Sequence, residues 1–218
     1  MIDVVLIQPE QPGNIGAVAR AMKNFGFQAL VLVDPCELTD ETRAQAKHAY
    51  DVIKNARILR KFEPKKYDYV IGTTGIMGEG RPCVTPEELK ALVPGGKVAL
   101  VFGNEGRGLS RHDMEACDVL VHIPTSDAYA VMNLSHAAAI VLYELSGAHG
   151  KEVSGRKERR ELEKAFINIL DNLGYRKKED AARAFGRLVN RAPPRQDEAS
   201  TLVGVLKRIE KTLNGERL

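Results

Sequence analysis

The stretch Val101-Phe102-Gly103-Asn104-Glu105-Gly106-Arg107-Gly108-Leu109-Ser110 decides the fold class of this 218-residue chain. An apolar run, Lys97 to Phe102, leads directly into three glycines interleaved with an amide, an acid and an arginine. Apolar runs of this length closed by glycine read as buried strands. Glycine uncovers backbone N–H groups and permits positive φ. A loop of this kind at the carboxyl end of a buried strand is where α/β proteins hold a small ligand. It is not a P-loop, since no Gly-Lys-Ser/Thr follows, and G-x-x-G-x-G is not the dinucleotide fingerprint.

The pattern on either side agrees. Asp3–Ile7, Ala29–Val33, Tyr69–Gly72, Val98–Phe102 and Val119–Ile123 are apolar, mostly β-branched runs of buried-strand length. Helical stretches separate them. Ile15–Phe25 carries an apolar stripe at 15, 18, 19, 22 and 25. Thr42–Asn55 reads as a second helix. Thr85-Pro86-Glu87-Glu88 is a capping box with Pro at the first helical position, and Ser110-Arg111-His112-Asp113 has the same logic. Asn133–Ser146 is a long, Ala-rich helix. Such alternation predicts an α/β fold with a mostly parallel sheet flanked by helices. After about residue 147 the strand-like runs stop. Lys157–Leu173, Lys178–Asn190 and Asp197–Leu213 read as three amphipathic helices. The expected division is a domain over 1–150 and a small helical domain over 151–218, joined by a linker at about 147–156.

Composition narrows the function. Net charge is only +3, with 44% apolar and 28% charged residues, as in an ordinary globular chain. The charge is unevenly spread. Residues 151–218 hold 17 Lys/Arg against 11 Asp/Glu, a net of +6, which leaves residues 1–150 at −3. A basic tail beside a near-neutral domain suits a chain that grips a polyanion with one part and does chemistry with the other. Cys36, Cys83 and Cys117 are far apart and form no C-x-x-C pair, which predicts reduced thiols in a cytoplasmic chain. The five histidines show no metal-ligand spacing, so no metal is expected. No apolar run is long enough to span a bilayer, and the first residues read as a strand rather than a leader.

Four polar loops follow strands. The first, Gln8-Pro9-Glu10-Gln11-Pro12-Gly13-Asn14-Ile15-Gly16-Ala17-Val18-Ala19-Arg20, opens a helix with Asn14 as its expected N-cap. Small residues ahead of Arg20 suggest a ligand approaching the helix, with the guanidinium facing phosphate or carboxylate. The second is Gly103–Gly108, with Glu105 as its only carboxylate. The third runs from Ile123 through Ala130-Val131-Met132-Asn133 to Ser135, and the fourth is Gly72-Thr73-Thr74-Gly75. Each alone also fits an ordinary cap or turn. Together, at the carboxyl ends of four strands, they form one expected site. His136, on the helix after the third loop, reads as packed or capping.

In this order and spacing the segments resemble the SPOUT superfamily of RNA methyltransferases. Asn14-x-Gly16-x3-Arg20…Phe25-Gly26 is similar to its first motif, Phe102-Gly103-Asn104-Glu105-x-x-Gly108-Leu109 to its second, and Ile123-Pro124…Asn133-Leu134-Ser135…Ala137 to its third. The opening Gln8-Pro9…Asn14-Ile15-Gly16 and the tail Arg187-Leu188-Val189-Asn190-Arg191-Ala192…Glu198…Leu202-x-Gly204-x-Leu206 narrow the likeness to the members that methylate a tRNA ribose at anticodon-loop position 32. The resemblance implies a trefoil knot over about residues 100–145 and S-adenosylmethionine as methyl donor. It implies cofactor contacts from Thr73, Thr74, Gly75, Gly103, Asn104, Gly108, Ile123, Ala130, Val131 and Met132. It also implies a homodimer with its active site at the subunit interface and C-terminal helices that help hold tRNA. Ribosomal RNA as substrate, or a non-catalytic RNA-binding role, remain alternatives. One departure stands out: Val131 occupies a position where the superfamily commonly has Ser.

Methyl transfer to a ribose 2′-hydroxyl needs alignment and loss of a proton, and no metal. The expected catalytic set is Arg20, Asn14, Glu105 and Asn133. A guanidinium stays protonated and has no acceptor, so Arg20 suits a phosphate anchor and alkoxide stabiliser better than a base. Asn14 and Glu105 would orient it. Basic residues near Arg156–Arg160, Arg176–Lys178 and Arg187–Arg195 would neutralise tRNA phosphates.

Overall fold

The computed structural model describes residues 1–75, 83–147 and 153–215. They form two compact units, Met1–Val93 with Lys97–His149, and Gly150–Leu218 with Pro94–Gly96. The boundary expected between residues 150 and 151 lies outside the described residues.

The first unit is built on a parallel sheet of β1 (Ile2–Ile7), β2 (Ala29–Val33), β3 (Arg57–Leu59), β4 (Tyr69–Thr74), β5 (Cys83–Val84), β6 (Val98–Phe102) and β7 (Val119–His122), in the order β3-β2-β1-β6-β4-β7-β5. Every ladder among the described residues is parallel. The five strands read from the sequence are all present. β3 and β5 were not anticipated, because three and two residues are too short to show a period.

Both faces of the sheet are covered, so its strands read as continuous apolar runs. Val4, Leu6, Leu30, Leu32, Tyr69, Ile71, Leu100 and Phe102 pack on one side with α1 (Pro12–Asn24), α4 (Pro86–Leu92) and α6 (Leu134–Leu145). Alternate residues Val5, Ile7, Val31, Val33, Val70, Ala99 and Val101 pack on the other with Phe62, Tyr67 and Leu109. Each fully buried side chain of this size contributes roughly 1.5–3 kcal/mol.

The helix expected over Thr42–Asn55 is broken. α2 (Asp40–Ala46) ends in a 3-10 turn, Lys47–Ala49, before α3 (Tyr50–Lys54). The break falls at Lys47, whose φ is +50°. The turn lets α2 lie on α1 while Val52 and Ile53 still reach the core. Lys23 of α1 secures it, donating to the His48 carbonyl at 2.8 Å and to Asp51 at 2.8 Å. Of the remaining helices in this unit, α5 (Arg111–Glu115) starts at the Ser110 capping box read from the sequence.

In the second unit, α7 (Arg156–Asn172), α8 (Lys178–Arg191) and α9 (Gln196–Leu213) pack through a Phe166–Phe185 stack at 4.1 Å. An Asn168–Glu210 hydrogen bond of 3.0 Å and a Lys207–Glu161 ion pair of 2.6 Å tie α7 to α9. Among the described residues no helix is long and apolar enough to cross a membrane.

Candidate active site

Because the sheet is parallel, every strand presents its carboxyl end on one edge. β1, β6, β4 and β7 are consecutive in the sheet, so the four polar loops stand side by side there.

Their centre is a chain of hydrogen bonds. The Glu105 carboxylate accepts from the backbone N–H of Glu10 at 2.8 Å and of Gln11 at 3.3 Å. It also accepts from Asn14 Nδ2 at 3.0 Å. Asn14 Oδ1 accepts from Asn133 Nδ2 at 3.1 Å, and Asn133 Oδ1 accepts from the Ser135 hydroxyl at 2.7 Å and its N–H at 2.9 Å. A carboxylate only accepts, so Asn14 must turn its NH2 towards Glu105. That choice propagates and orients both amides. The chain joins the loops after β1, β6 and β7 into one structure.

Asn14 therefore serves differently from its expected role. The N-cap of α1 is Gln11, with Pro12 at the first helical position. Asn14 lies inside the helix and is buried, its side chain spent on the network. The reading of Gly13 and Gly16 also changes. A Cβ on Gly16 would sit 2.3 Å from the Thr42 carbonyl oxygen, and one on Gly13 2.5 Å from Glu41 Oε1. These glycines let α2 lie close against α1; they do not open a path for a ligand.

The Gly103–Gly108 loop folds on itself. Asn104 Oδ1 accepts from the N–H of Gly106 and Arg107 at 2.8 and 3.1 Å, and the Gly108 N–H donates to the Asn104 carbonyl at 2.8 Å. Asn104 Nδ2 grips the Gln8 carbonyl at 3.0 Å. Gly108 has φ +67°, and a Cβ on Gly103 would fall 2.2 Å from the backbone of Gly108 and Leu109. Both glycines are thus required by the turn itself. Beside this loop, burial pushes the Cys36 thiol above its usual value, and the negative charge of Glu105 adds to the effect.

Thr73 donates to the Val101 carbonyl at 3.2 Å, tying β4 to β6, and Thr74 supplies a carbonyl 3.2 Å from His122 Nδ1. Gly75 is exposed, with open space where a Cβ would stand. In the third loop, Thr125 donates to the Ala130 carbonyl at 3.2 Å, and Ile123 is half-buried at its start. Tyr129 is 79% and Val131 71% exposed. The backbone groups of Val131 and Met132 make no hydrogen bond among the described residues. Val131 brings no hydroxyl of its own, and the Ser135 hydroxyl is already committed to Asn133.

Arg20 is exposed and makes no hydrogen bond or ion pair among the described residues. It does not touch Asn14 or Glu105, contrary to expectation. Six residues apart at 100° each, Arg20 and Asn14 face directions about 120° apart round α1. His136 is exposed rather than packed. In the second unit, Arg159 is 1% exposed and spends its guanidinium on Ser154 O at 2.9 Å and Asn190 Oδ1 at 3.2 Å, so it is not a phosphate contact. Lys157, Arg160, Arg176, Lys177, Arg187 and Arg191 are exposed.

Comparison with known proteins gives this arrangement a class. Residues 1–143 match the SpoU rRNA Methylase family, and the chain belongs to it. Within that family, the chain is 38% identical to the tRNA (cytidine-2'-O-)-methyltransferase TrmJ of Methanocaldococcus jannaschii, over 95% of this chain and 99% of that protein. It is 31% identical to the tRNA (cytidine/uridine-2'-O-)-methyltransferase TrmJ of Pectobacterium atrosepticum, over 97% of each. The structure of a probable methylase family protein from Haemophilus influenzae superimposes with a TM-score of 0.72 at 30% identity, covering 98% of this chain and 97% of that one.

Proposed function

We propose that this protein transfers a methyl group from S-adenosylmethionine to a ribose 2′-hydroxyl of tRNA, at the cytidine in anticodon-loop position 32. The observation that carries the reading is the Glu105–Asn14–Asn133 chain, which locks the three motif loops together on one sheet edge. Full-length similarity to proteins named as tRNA 2'-O-methyltransferases supports the choice of substrate.

In this reading the cofactor lies against Thr73–Gly75, Gly103, Asn104, Gly108, Ile123 and Ala130–Met132, within a trefoil knot over about residues 100–145. Bound there, it supplies an electrophilic methyl group on a sulfonium. Asn133, held by Asn14 and Ser135, sits at the mouth of that loop and aligns the ribose. Arg20 anchors the target phosphate and stabilises the oxygen as its proton leaves to water. Arg20 points away from its own Asn14, which suits a homodimer in which each Arg20 serves the partner's site. The 151–218 helices carry exposed Lys157, Arg160, Arg176, Lys177, Arg187 and Arg191 as tRNA phosphate contacts, in a cytoplasmic enzyme.

The test uses unmodified tRNA transcripts and S-adenosylmethionine with a labelled methyl group. Products are digested and mapped by mass spectrometry. One ribose-methylated nucleotide at position 32, absent with Arg20→Ala, is the expected result. Cofactor binding without transfer to tRNA would redirect the reading to ribosomal RNA.

A further inference from the structure

Arg107, in the loop after β6, carries a side chain that neither the loop's own construction nor the proposed chemistry employs. The loop is fixed around it. Asn104 Oδ1 holds the backbone N–H of Gly106 and Arg107, the Gly108 N–H closes the turn onto the Asn104 carbonyl, and Leu109 is buried just beyond. What residue 107 gives to this turn is its backbone N–H, which any residue except proline would supply. The guanidinium itself is exposed and makes no hydrogen bond or ion pair among the described residues. Glu105, only two residues away, does not pair with it, because that carboxylate is spent on Glu10, Gln11 and Asn14. Five N–H donors in a fixed fork therefore stand on a rigid turn with no protein acceptor.

Their place in the site is central. β6 lies between β1 and β4, so its loop stands between those that carry Asn14 and Thr73. Over residues 8–11, 72–75, 103–108 and 123–133, Arg107 is the only Lys or Arg, while Glu10, Glu105 and Asp127 are acidic. Arg20 is on α1 and faces away from Asn14. An RNA strand is a polyanion, and an edge that carries three carboxylates repels it unless a cation offsets them. A nucleotide within a chain has a phosphate on each side of its ribose. Arg20 is assigned one, and the other needs a second cation.

We infer that Arg107 is a substrate-binding residue whose guanidinium takes this second phosphate flanking the methylated ribose. The planar fork meets two phosphate oxygens at once. The carboxylate of the methyl donor is the other anion with matching chemistry. Exposure favours the phosphate, since a large substrate reaches an outward-facing guanidinium without movement of the loop. The inference rests on the methyl-transfer reading and adds to it a contact that holds the substrate from within the same chain as Asn14 and Glu105.

The experiment measures tRNA affinity of the full chain by fluorescence anisotropy over a salt series, together with methyl transfer at saturating tRNA. Arg107→Ala should weaken tRNA binding by about tenfold, one charged hydrogen bond's worth. The slope of log affinity against log salt should fall by about one, the signature of one lost phosphate contact. Arg107→Lys keeps the charge and loses the fork, so it should restore the slope and part of the affinity. Calorimetric titration with S-adenosylmethionine and thermal unfolding should match wild type, because the side chain has no protein partner. Unchanged tRNA affinity and salt slope in Arg107→Ala, with wild-type protein methylating tRNA, overturn this inference alone. Weakened S-adenosylmethionine binding with tRNA affinity kept overturns it too, and gives the guanidinium to the donor's carboxylate. Wild-type protein that neither binds nor methylates tRNA overturns the underlying reading, and this inference with it.

Discussion

Replacing Glu105 with Ala tests the hydrogen-bonded clamp at its root. The substitution strips three donors of their acceptor: the Glu10 and Gln11 amides at 2.8 and 3.3 Å and Asn14 Nδ2 at 3.0 Å. A hydrogen bond to a charged group contributes roughly 1.5–3 kcal/mol. The 3.3 Å contact is long and the carboxylate is only half-buried, so two effective bonds near the lower bound apply. Together they come to about 3 kcal/mol. Asn14 is 8% exposed, so its released NH2 finds little water, and the loss is not readily recovered. At about 2–4 °C per kcal/mol for a chain of this size, the midpoint of thermal unfolding should fall by about 6–12 °C. Glu105→Gln keeps one acceptor oxygen but turns an NH2 towards one of the same donors, so its effect should be smaller in the same direction. Circular dichroism follows the unfolding, and calorimetric titration with S-adenosylmethionine follows the third loop, whose Asn133 is released with Asn14. Unfolding of Glu105→Ala within about 1 °C of wild type, with cofactor affinity unchanged, would refute the clamp.

Other substitutions probe separate steps. Gly16→Ala places a methyl 2.3 Å from the Thr42 carbonyl oxygen and should cost about 1–3 kcal/mol in urea unfolding. Gly204→Ala in α9, where nothing lies within 4 Å, should instead stabilise by up to about 1 kcal/mol; equal effects at the two positions would contradict the close α1–α2 packing. Arg20→Lys keeps the charge and loses the fork, so methyl transfer should drop about 10–100-fold with unfolding unaltered. Full activity at unchanged tRNA affinity would remove the anchoring role. Burial, reinforced by the negative charge of Asp3, pushes the Tyr67 hydroxyl up from its usual value to about 12. A pKa raised by folding contributes stability that is complete below the unfolded value near 10 and is lost as pH rises towards 12. Wild type should therefore lose stability relative to Tyr67→Phe across that window, and parallel alkaline unfolding curves would show that the shift is absent.

What the sequence determined by itself was everything carried by a local period or a local motif. The five longer strands were legible because both faces of a parallel sheet are covered, which makes each strand a continuous apolar run. The caps at Ser110 and Thr85 were legible because capping is settled within four residues. The motif order carried the family, since Asn14, Arg20, Glu105 and Asn133 each fall within a motif that is contiguous or nearly so in the chain. Tertiary structure decided what those residues touch. Asn14 has a good N-cap side chain, yet Pro12 starts the helix earlier and Glu105, 91 residues away, claims the amide. Gly13 and Gly16 look like room for a ligand until α2 is seen to fill it. Lys47 breaks a pattern that reads as one helix, because α2 must follow α1 while Val52 and Ile53 must still reach the core. Arg159 belongs to a basic run by sequence and to the interior by contact. In each case the deciding partner is distant in the chain, and no local pattern records which distant group will satisfy a buried polar atom or fill the space above a glycine.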